Sequence, residues 1–313
     1  MTALDQAAPP ATGPHASVGH PWLRPVLLVN LVVEVLIVVT GGLVRLTGSG
    51  LGCPTWPQCV PGSYTPVAHQ AQGFHKYIEF GNRTLTGVVS IAAIAAIVAV
   101  ARWSDRRRAL TLPTWLVLAG VAVQAVLGGI TVRTGLNPAT VSAHFLVSMG
   151  LVAAAAAAYV ESGMPRGPRL LSVPPLVHRA GWLTTAVGAG VLLLGTIVTG
   201  SGPHSGDADE PARLGFDPRS VSWLHADMVM LFTGLVVAMW LATRLRATHA
   251  APHKAWTGVL HIVLTQAVVG YAQYFTGLPI GIVLIHMFLA SLLVVALVRA
   301  MKSLRSTPVQ DAA

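Results

Sequence analysis

Eight predominantly apolar stretches, each about twenty residues long, leave this chain few architectures to choose from. They lie near 26–46, 79–101, 112–133, 140–160, 181–200, 222–243, 255–275 and 279–299. A helix rises about 1.5 Å per residue, so about twenty residues cross the roughly 30 Å hydrocarbon core of a bilayer. Inside lipid every backbone N–H and C=O must be satisfied internally, and a helix does this within one segment. The expected fold class is therefore an all-α polytopic membrane protein with eight transmembrane helices. Composition agrees, since only 10% of the 313 residues are charged, against about 25% in soluble domains. The segment before residue 20 lacks a signal-peptide pattern, so the first span is expected to be retained.

The net charge of +9 would suit a nucleic-acid binder, but its distribution excludes that class. "RWSDRRR", "RGPR", "HRA", "RLR" with Lys254, and "RAMKSLR" fall in alternate connections, and with Arg24 they hold 14 of the 20 Lys and Arg residues. The other side carries Arg45, Lys76, Arg83, Arg133, Arg213 and Arg219. The positive-inside rule then places both termini in the cytoplasm of a bacterial cell. Cys53 and Cys59, in "GCPTWPQC", lie on the side poor in positive charge. They read as a loop staple or a redox pair, and the spacing matches no catalytic motif.

The chain also repeats itself. "QAVLGGITVRTGL" begins at Gln124 and "QAVVGYAQYFTGL" at Gln266, and a histidine follows each glutamine by 20 residues, His144 and His286. "VRLTGSG" ending at Gly50 is echoed by "TIVTGSG" ending at Gly202. The expected organisation is two pseudo-symmetric four-helix bundles, residues 26–160 and 181–300. A cytoplasmic linker, 161–180, joins them, and cytoplasmic tails occupy 1–25 and 301–313. Bundles of this kind build sites from side chains on facing helices.

Four histidines fall within spans. His144, His225 and His286 lie at matching depth near the outer ends, and His261 enters from the cytoplasmic end. Intramembrane ionisable residues usually face a bundle interior and are functional candidates. His225 and His286 share one bundle and could bracket a heme iron, or each could make an interhelical hydrogen bond. For His261 the hydrogen bond is the preferred reading. An offset of 143, one more than the 142 that separates His144 from His286, maps His225 onto Asn82, with Glu79 three residues earlier on the same helix face. One half thus offers two histidines, and the other offers His144, Glu79 and Asn82.

Arg45, Arg83 and Arg133 lie at outer helix ends, where they could grip a ligand's carboxylates or snorkel toward headgroups, and Arg83 can pair with Glu79. Asn30 with Glu34 reads as a structural pair or part of a proton path. Asp227 is expected at an interface, Asp207, Asp209 and Glu210 in a solvated loop, and His69 on the surface. His75 is expected on the surface too, although it could reach the Glu79 pocket from above.

"GGLVRLTGSGLGCPTWPQC", "EFGNR", "SAHF", "WLHAD" and "LIHMF" together resemble the heme A synthase family over nearly the whole chain. The resemblance implies conversion of heme O to heme A by oxidising a porphyrin methyl group to a formyl, through successive hydroxylations. It implies a heme b cofactor held by His225 and His286. It also implies heme O in the first bundle, with His144 as iron ligand and Glu79 as the catalytic carboxylate. Asn82, Arg83 and Arg45 would line that substrate site, and Cys53 with Cys59 would form a disulfide. Heme O synthase, cytochrome oxidase assembly proteins and an unidentified electron acceptor are the implied partners. One departure stands out: the family's "ExxHR" has a histidine where this chain has Asn82. His144 alone, His144 with His75, and water held by Asn82 all remain open for the first-half iron. A diheme electron-transfer cytochrome and a proton-coupled transporter are the rival readings.

Overall fold

The computed structural model describes residues 20–105, 107–165, 167–207 and 211–307. Asp209 and Glu210 lie outside these. Eight long helices dominate: α1 (Leu23–Leu46), α2 (His75–Trp103), α3 (Arg107–Arg133), α4 (Pro138–Ser162), α5 (Pro175–Ser201), α6 (Pro218–Arg246), α7 (Ala250–Phe275) and α8 (Ile280–Ser303). All eight are long and apolar enough to cross a membrane, and the chain is a multi-pass membrane protein. Their outward faces carry exposed Ile91, Leu116, Leu231 and Val268, which suit contact with lipid.

Several helices start before the apolar windows do, α5 at Pro175 rather than 181 and α7 at Ala250 rather than 255. Helix caps and prolines, not hydrophobicity, decide those boundaries. Asn137 caps α4 through Ala139 N–H with Pro138 in the first turn, and Asp217 caps α6 with Pro218 behind it. The Ser220 hydroxyl and N–H both donate to Asp217, at 2.7 and 2.8 Å, and hold its carboxyl below the usual range.

Each bundle closes as a ring. α1 packs on α2 and α4, and α3 packs on α2 and α4. In the second bundle α5 packs on α6 and α8, and α7 packs on α6 and α8. The bundles meet along α4 and α8, flanked by the α1–α8 and α4–α5 contacts. That set is unchanged when the halves are exchanged, as duplication predicts. The repeated Thr-Gly-Leu has a local cause as well. Gly135 and Leu136 take φ of 59° and 55°, and Gly277 and Leu278 take 77° and 62°, so both α3–α4 and α7–α8 turn through two left-handed residues. A leucine pays for that conformation with about 1 kcal/mol or more. Buried Leu136 offsets it by lying against Gly50 and Gly206, where an added Cβ would come within 2.7 and 3.2 Å of it.

The apolar cores sit toward the ends nearer the 163–174 linker. Leu27, Ala96, Ala99, Val100, Leu110 and Ala158 fill the first bundle there. Phe232, Val236, Met239, Trp256 and Val259 fill the second. Each core lies beyond the histidines on the same helices, which leaves the opposite, loop-bearing ends free to hold polar groups.

One buried charge ties the linker end together. Glu161 on α4 accepts from Arg169 Nη1 and Nη2 at 2.8 and 2.5 Å and from Lys302 Nζ on α8 at 2.9 Å. The pair with Glu161 also holds the Arg169 guanidinium above its ordinary pKa. Beside it the linker strand β1 (Leu170–Leu171) pairs antiparallel with β2 (Arg305–Ser306). Glu161→Gln would leave two cations without their charge partner, which costs about 3 kcal/mol for a largely buried network. Thermal unfolding in detergent should show a lower midpoint, with the far-UV circular dichroism of the folded protein unchanged.

Candidate functional site

In the second bundle the helices bring the predicted histidine pair together. His225 on α6 and His286 on α8 lie within electrostatic reach of each other. Each ring rests against a glycine of the preceding helix. A Cβ at Gly195 would stand 3.3 Å from His225 Cε1, and one at Gly270 would stand 3.4 Å from His286 Cε1. In both cases Nδ1 would be 3.8 Å away, so the two rings are seated alike. Both Nδ1 atoms are buried without a hydrogen-bond partner. The alternative left open for these histidines, an interhelical hydrogen bond, is not made by His286 Nδ1, while His225 lies against the Val191 carbonyl of α5.

The first bundle repeats half of this arrangement. His144 on α4 rests against Gly128 of α3, 3.6 Å from a Cβ placed there, and its Nδ1 is likewise buried and unpartnered. The repeated glutamines explain their own spacing. Gln124 Nε2 donates to the His144 carbonyl at 2.9 Å, and Gln266 Nε2 donates to the His286 carbonyl at 3.0 Å. Each thereby fixes the level of a histidine on the next helix. At the fourth position Asn82 faces Gly41 of α1, its Nδ2 3.9 Å from a Cβ placed there, and Thr40 Oγ1 donates to Asn82 Oδ1 at 2.7 Å.

Glu79 and Arg83 form one network with the cysteine-bearing loop. Cys53 and Cys59 are joined as a disulfide, both fully buried. Buried Glu79 accepts from Cys53 N–H through Oε2 at 2.6 Å, and from Arg83 Nε and Nη2 through Oε1 at 2.9 and 2.5 Å. Arg83 also donates to the carbonyls of Cys53, Thr55 and Gln58. A guanidinium has five N–H donors, and these five contacts engage them all. Gly52 allows the loop to close on α2, since a Cβ there would fall 2.3 Å from the His75 carbonyl oxygen. The carboxylate at membrane depth is thus compensated by charge-assisted bonds to an arginine and a loop amide.

The other predicted residues divide clearly. Arg45 leaves its own bundle, with Nη2 donating to the Thr199 carbonyl of α5 at 2.7 Å, beside the Gly50 N–H to Gly206 carbonyl bond. Arg133 is exposed, donates to the Trp56 carbonyl and lies over the Trp56 ring. His75 Nδ1 pairs with Ser49 Oγ at 2.8 Å, which holds it in the loop. His69 and Asp227 are exposed, as expected. Asp207 is half-buried and bridges through its backbone to Ser49, not simply solvated. The expectation for His261 is overturned: it is exposed on the outward side of α7, without the interhelical bond, because its position falls off that helix's buried stripe of Trp256, Val259 and Val263. Asn30 and Glu34 are buried in α1, and Asn30 Oδ1 and Nδ2 and Glu34 Oε1 lack partners.

Sequence reasoning missed Thr40, the cradling glycines, the glutamine–carbonyl bonds and Glu161. The repeated 20-residue Gln–His spacing was a usable signal for the glutamines. Among the described residues no three His, Cys, Asp or Glu side chains converge as a protein-built metal centre requires. Paired or single axial histidines need no such cluster.

The comparisons follow this geometry. A family model described as cytochrome oxidase assembly protein, COX15-CtaA, matches residues 24–208. The chain is similar to a heme A synthase of Lysinibacillus sphaericus, 26% identical over 82% of this chain and 87% of the relative. It is 24% identical to one of Bacillus mycoides over 91% and 94% of the two chains. With one of Geobacillus thermodenitrificans the match is 34% identical and spans 38% of this chain and only 36% of that protein. The family match takes in α1 to α4 with the cysteine-bearing loop, and α5 as well. This chain belongs to the COX15-CtaA family of cytochrome oxidase assembly proteins.

Proposed function

We propose that this protein is a heme A synthase, an oxidoreductase that converts the methyl group of heme O to the formyl group of heme A. The observation that carries the reading is the divergence of two like-built bundles. The second seats two histidines identically against Gly195 and Gly270, and the first keeps one histidine and adds Glu79. The residues fit a heme. Three buried Nδ1 atoms lack partners, and each ring is cradled by a glycine that a larger residue would fill.

His225 and His286 are the residues that would hold a heme b iron, with Gln266 fixing the level of His286. That group supplies one-electron redox chemistry when bound. His144 would hold the iron of the substrate, heme O, in the first bundle. Glu79 is anchored on both oxygens, so it would act on the substrate as a fixed negative charge rather than as a mobile base. Such a preorganised charge stabilises positive charge that develops as the methyl group is oxidised. Because the contacts of Arg83 occupy all its donors, Arg83 acts by positioning Glu79 and the loop. The charge bias supports a bacterial cell membrane with both termini cytoplasmic and the heme sites toward the outer leaflet. Heme O synthase and assembly proteins are the proposed partners.

Co-expression with a source of heme O, followed by pigment extraction and chromatography, tests the reading. Heme A should appear. Recovery of heme O and heme B alone would overturn the assignment in favour of an electron-transfer cytochrome.

A further inference from the structure

The halves differ at one position that the proposed reaction leaves unassigned. Asn82 on α2 faces Gly41 of α1, as His225 on α6 faces Gly195 of α5. It therefore occupies the place of an iron-ligating histidine while being no histidine. Its amide is not idle: Thr40 Oγ1 donates to Oδ1 at 2.7 Å. That bond engages Oδ1, the one atom by which an amide could ligate iron, through one of its two lone pairs, turns it toward Thr40, and leaves Nδ2 as a donor. His75, an imidazole near this end of the bundle, is tied elsewhere, with Nδ1 on Ser49 Oγ and its ring tilted against Phe74. Its carbonyl is pressed against Gly52, so moving the ring inward would disturb the loop packing.

We propose that His144 is the only protein ligand of the heme iron in the first bundle, and that Asn82, oriented by Thr40, is a hydrogen-bond donor facing an exchangeable sixth position. This deepens the heme A synthase reading and rests on it. Asn82 then has two effects. It keeps the iron from becoming a closed bis-imidazole centre, as the second bundle would be. It also offers N–H to whatever small ligand occupies the open position. Thr40 is a positioning residue, since it acts only through the amide.

The test uses the full chain, purified in detergent with heme B loaded into both sites, reduced with dithionite and exposed to carbon monoxide. Carbon monoxide should bind one of the two hemes and leave the other unchanged. Asn82→His should keep both hemes and lose carbon monoxide binding, with the whole spectrum low-spin. Asn82→Leu and Thr40→Val should keep binding and shift the C–O stretching frequency upward, as loss of a donated hydrogen bond requires. A wild-type protein with two hemes and no carbon monoxide binding would overturn the proposal, as would an unshifted stretch in both variants. Heme content is counted in parallel. If His144→Ala carries as much heme as wild type, the first-bundle heme site itself fails, and the proposal falls with it. If heme content drops as expected but carbon monoxide does not bind wild type, the ligation proposal alone fails.

Discussion

Purified His225→Ala and His286→Ala variants should each lose the low-spin bis-histidine heme spectrum of the wild-type protein. The two rings are seated equivalently, with matched distances to Gly195 and Gly270 and with buried, unpartnered Nδ1 atoms. If the two rings hold a heme iron as proposed, removing either takes away one of its two protein bonds. Changes one shell further out cost roughly ten- to hundredfold in affinity at metal sites, so direct loss of a ligand should exceed that. Gln266→Leu sets the scale. It frees the His286 carbonyl but leaves the imidazole in place, so it should weaken heme retention without abolishing the spectrum. His261→Ala is the control, because that side chain is exposed on the outward side of α7. Visible and low-temperature spectra of detergent-purified protein provide the measurement. An unaltered low-spin spectrum in both alanine variants would remove the cofactor assignment.

Glu79→Ala should retain bound heme and bring heme A formation down by about 10²–10³-fold, the usual cost of deleting one preorganised electrostatic group from an active site. The same change strips a partner from Cys53 N–H and two from Arg83. A half-buried arginine that loses its carboxylate is destabilised, so loss of activity in this variant alone does not separate chemistry from loop displacement. Glu79→Gln separates them. Glutamine keeps the length and an oxygen for Cys53 N–H, removes the charge, and sets an NH2 against the Arg83 donors, so the loop is followed separately. If the fixed charge is what matters, Glu79→Gln should be nearly as inactive as Glu79→Ala, while chymotryptic cleavage after exposed Tyr64 in the 53–70 loop stays at the wild-type level. Heme A extracted from cells supplied with heme O gives the activity. Near-normal heme A in Glu79→Gln would leave Glu79 as a loop anchor and nothing more.

Much of this molecule is visible without coordinates, and the reason differs from residue to residue. The eight spans follow from runs of apolar residues measured against the thickness of a bilayer. His144 and His286 are found by self-alignment because duplication kept their distance from Gln124 and Gln266, and that distance is enforced by a real bond in each half. The Glu79–Arg83 pair is legible because residues four apart on a helix are neighbours. Beyond this, the partners are distant in sequence. Arg45 meets Thr199 across the bundle boundary, and Glu161 meets Lys302 on α8. Cys53 N–H reaches Glu79 only after the loop has folded back over α2. No periodicity encodes contacts of that kind. His261 was misjudged because depth along a span can be read from sequence more readily than rotation about it.

The sequence by itself therefore determined an eight-span duplicated membrane protein with three histidines at one level and a carboxylate near the level of one of them. Those features depend on local periodicity, helix rise and a repeat offset, which act along the chain. The tertiary structure decided that Arg83 is devoted to Glu79 and the disulfide loop, that Arg45 links the two bundles, and that Asn82 is held by Thr40. Those outcomes depend on helix rotation and loop packing, where donors compete for acceptors that only the folded chain brings within reach.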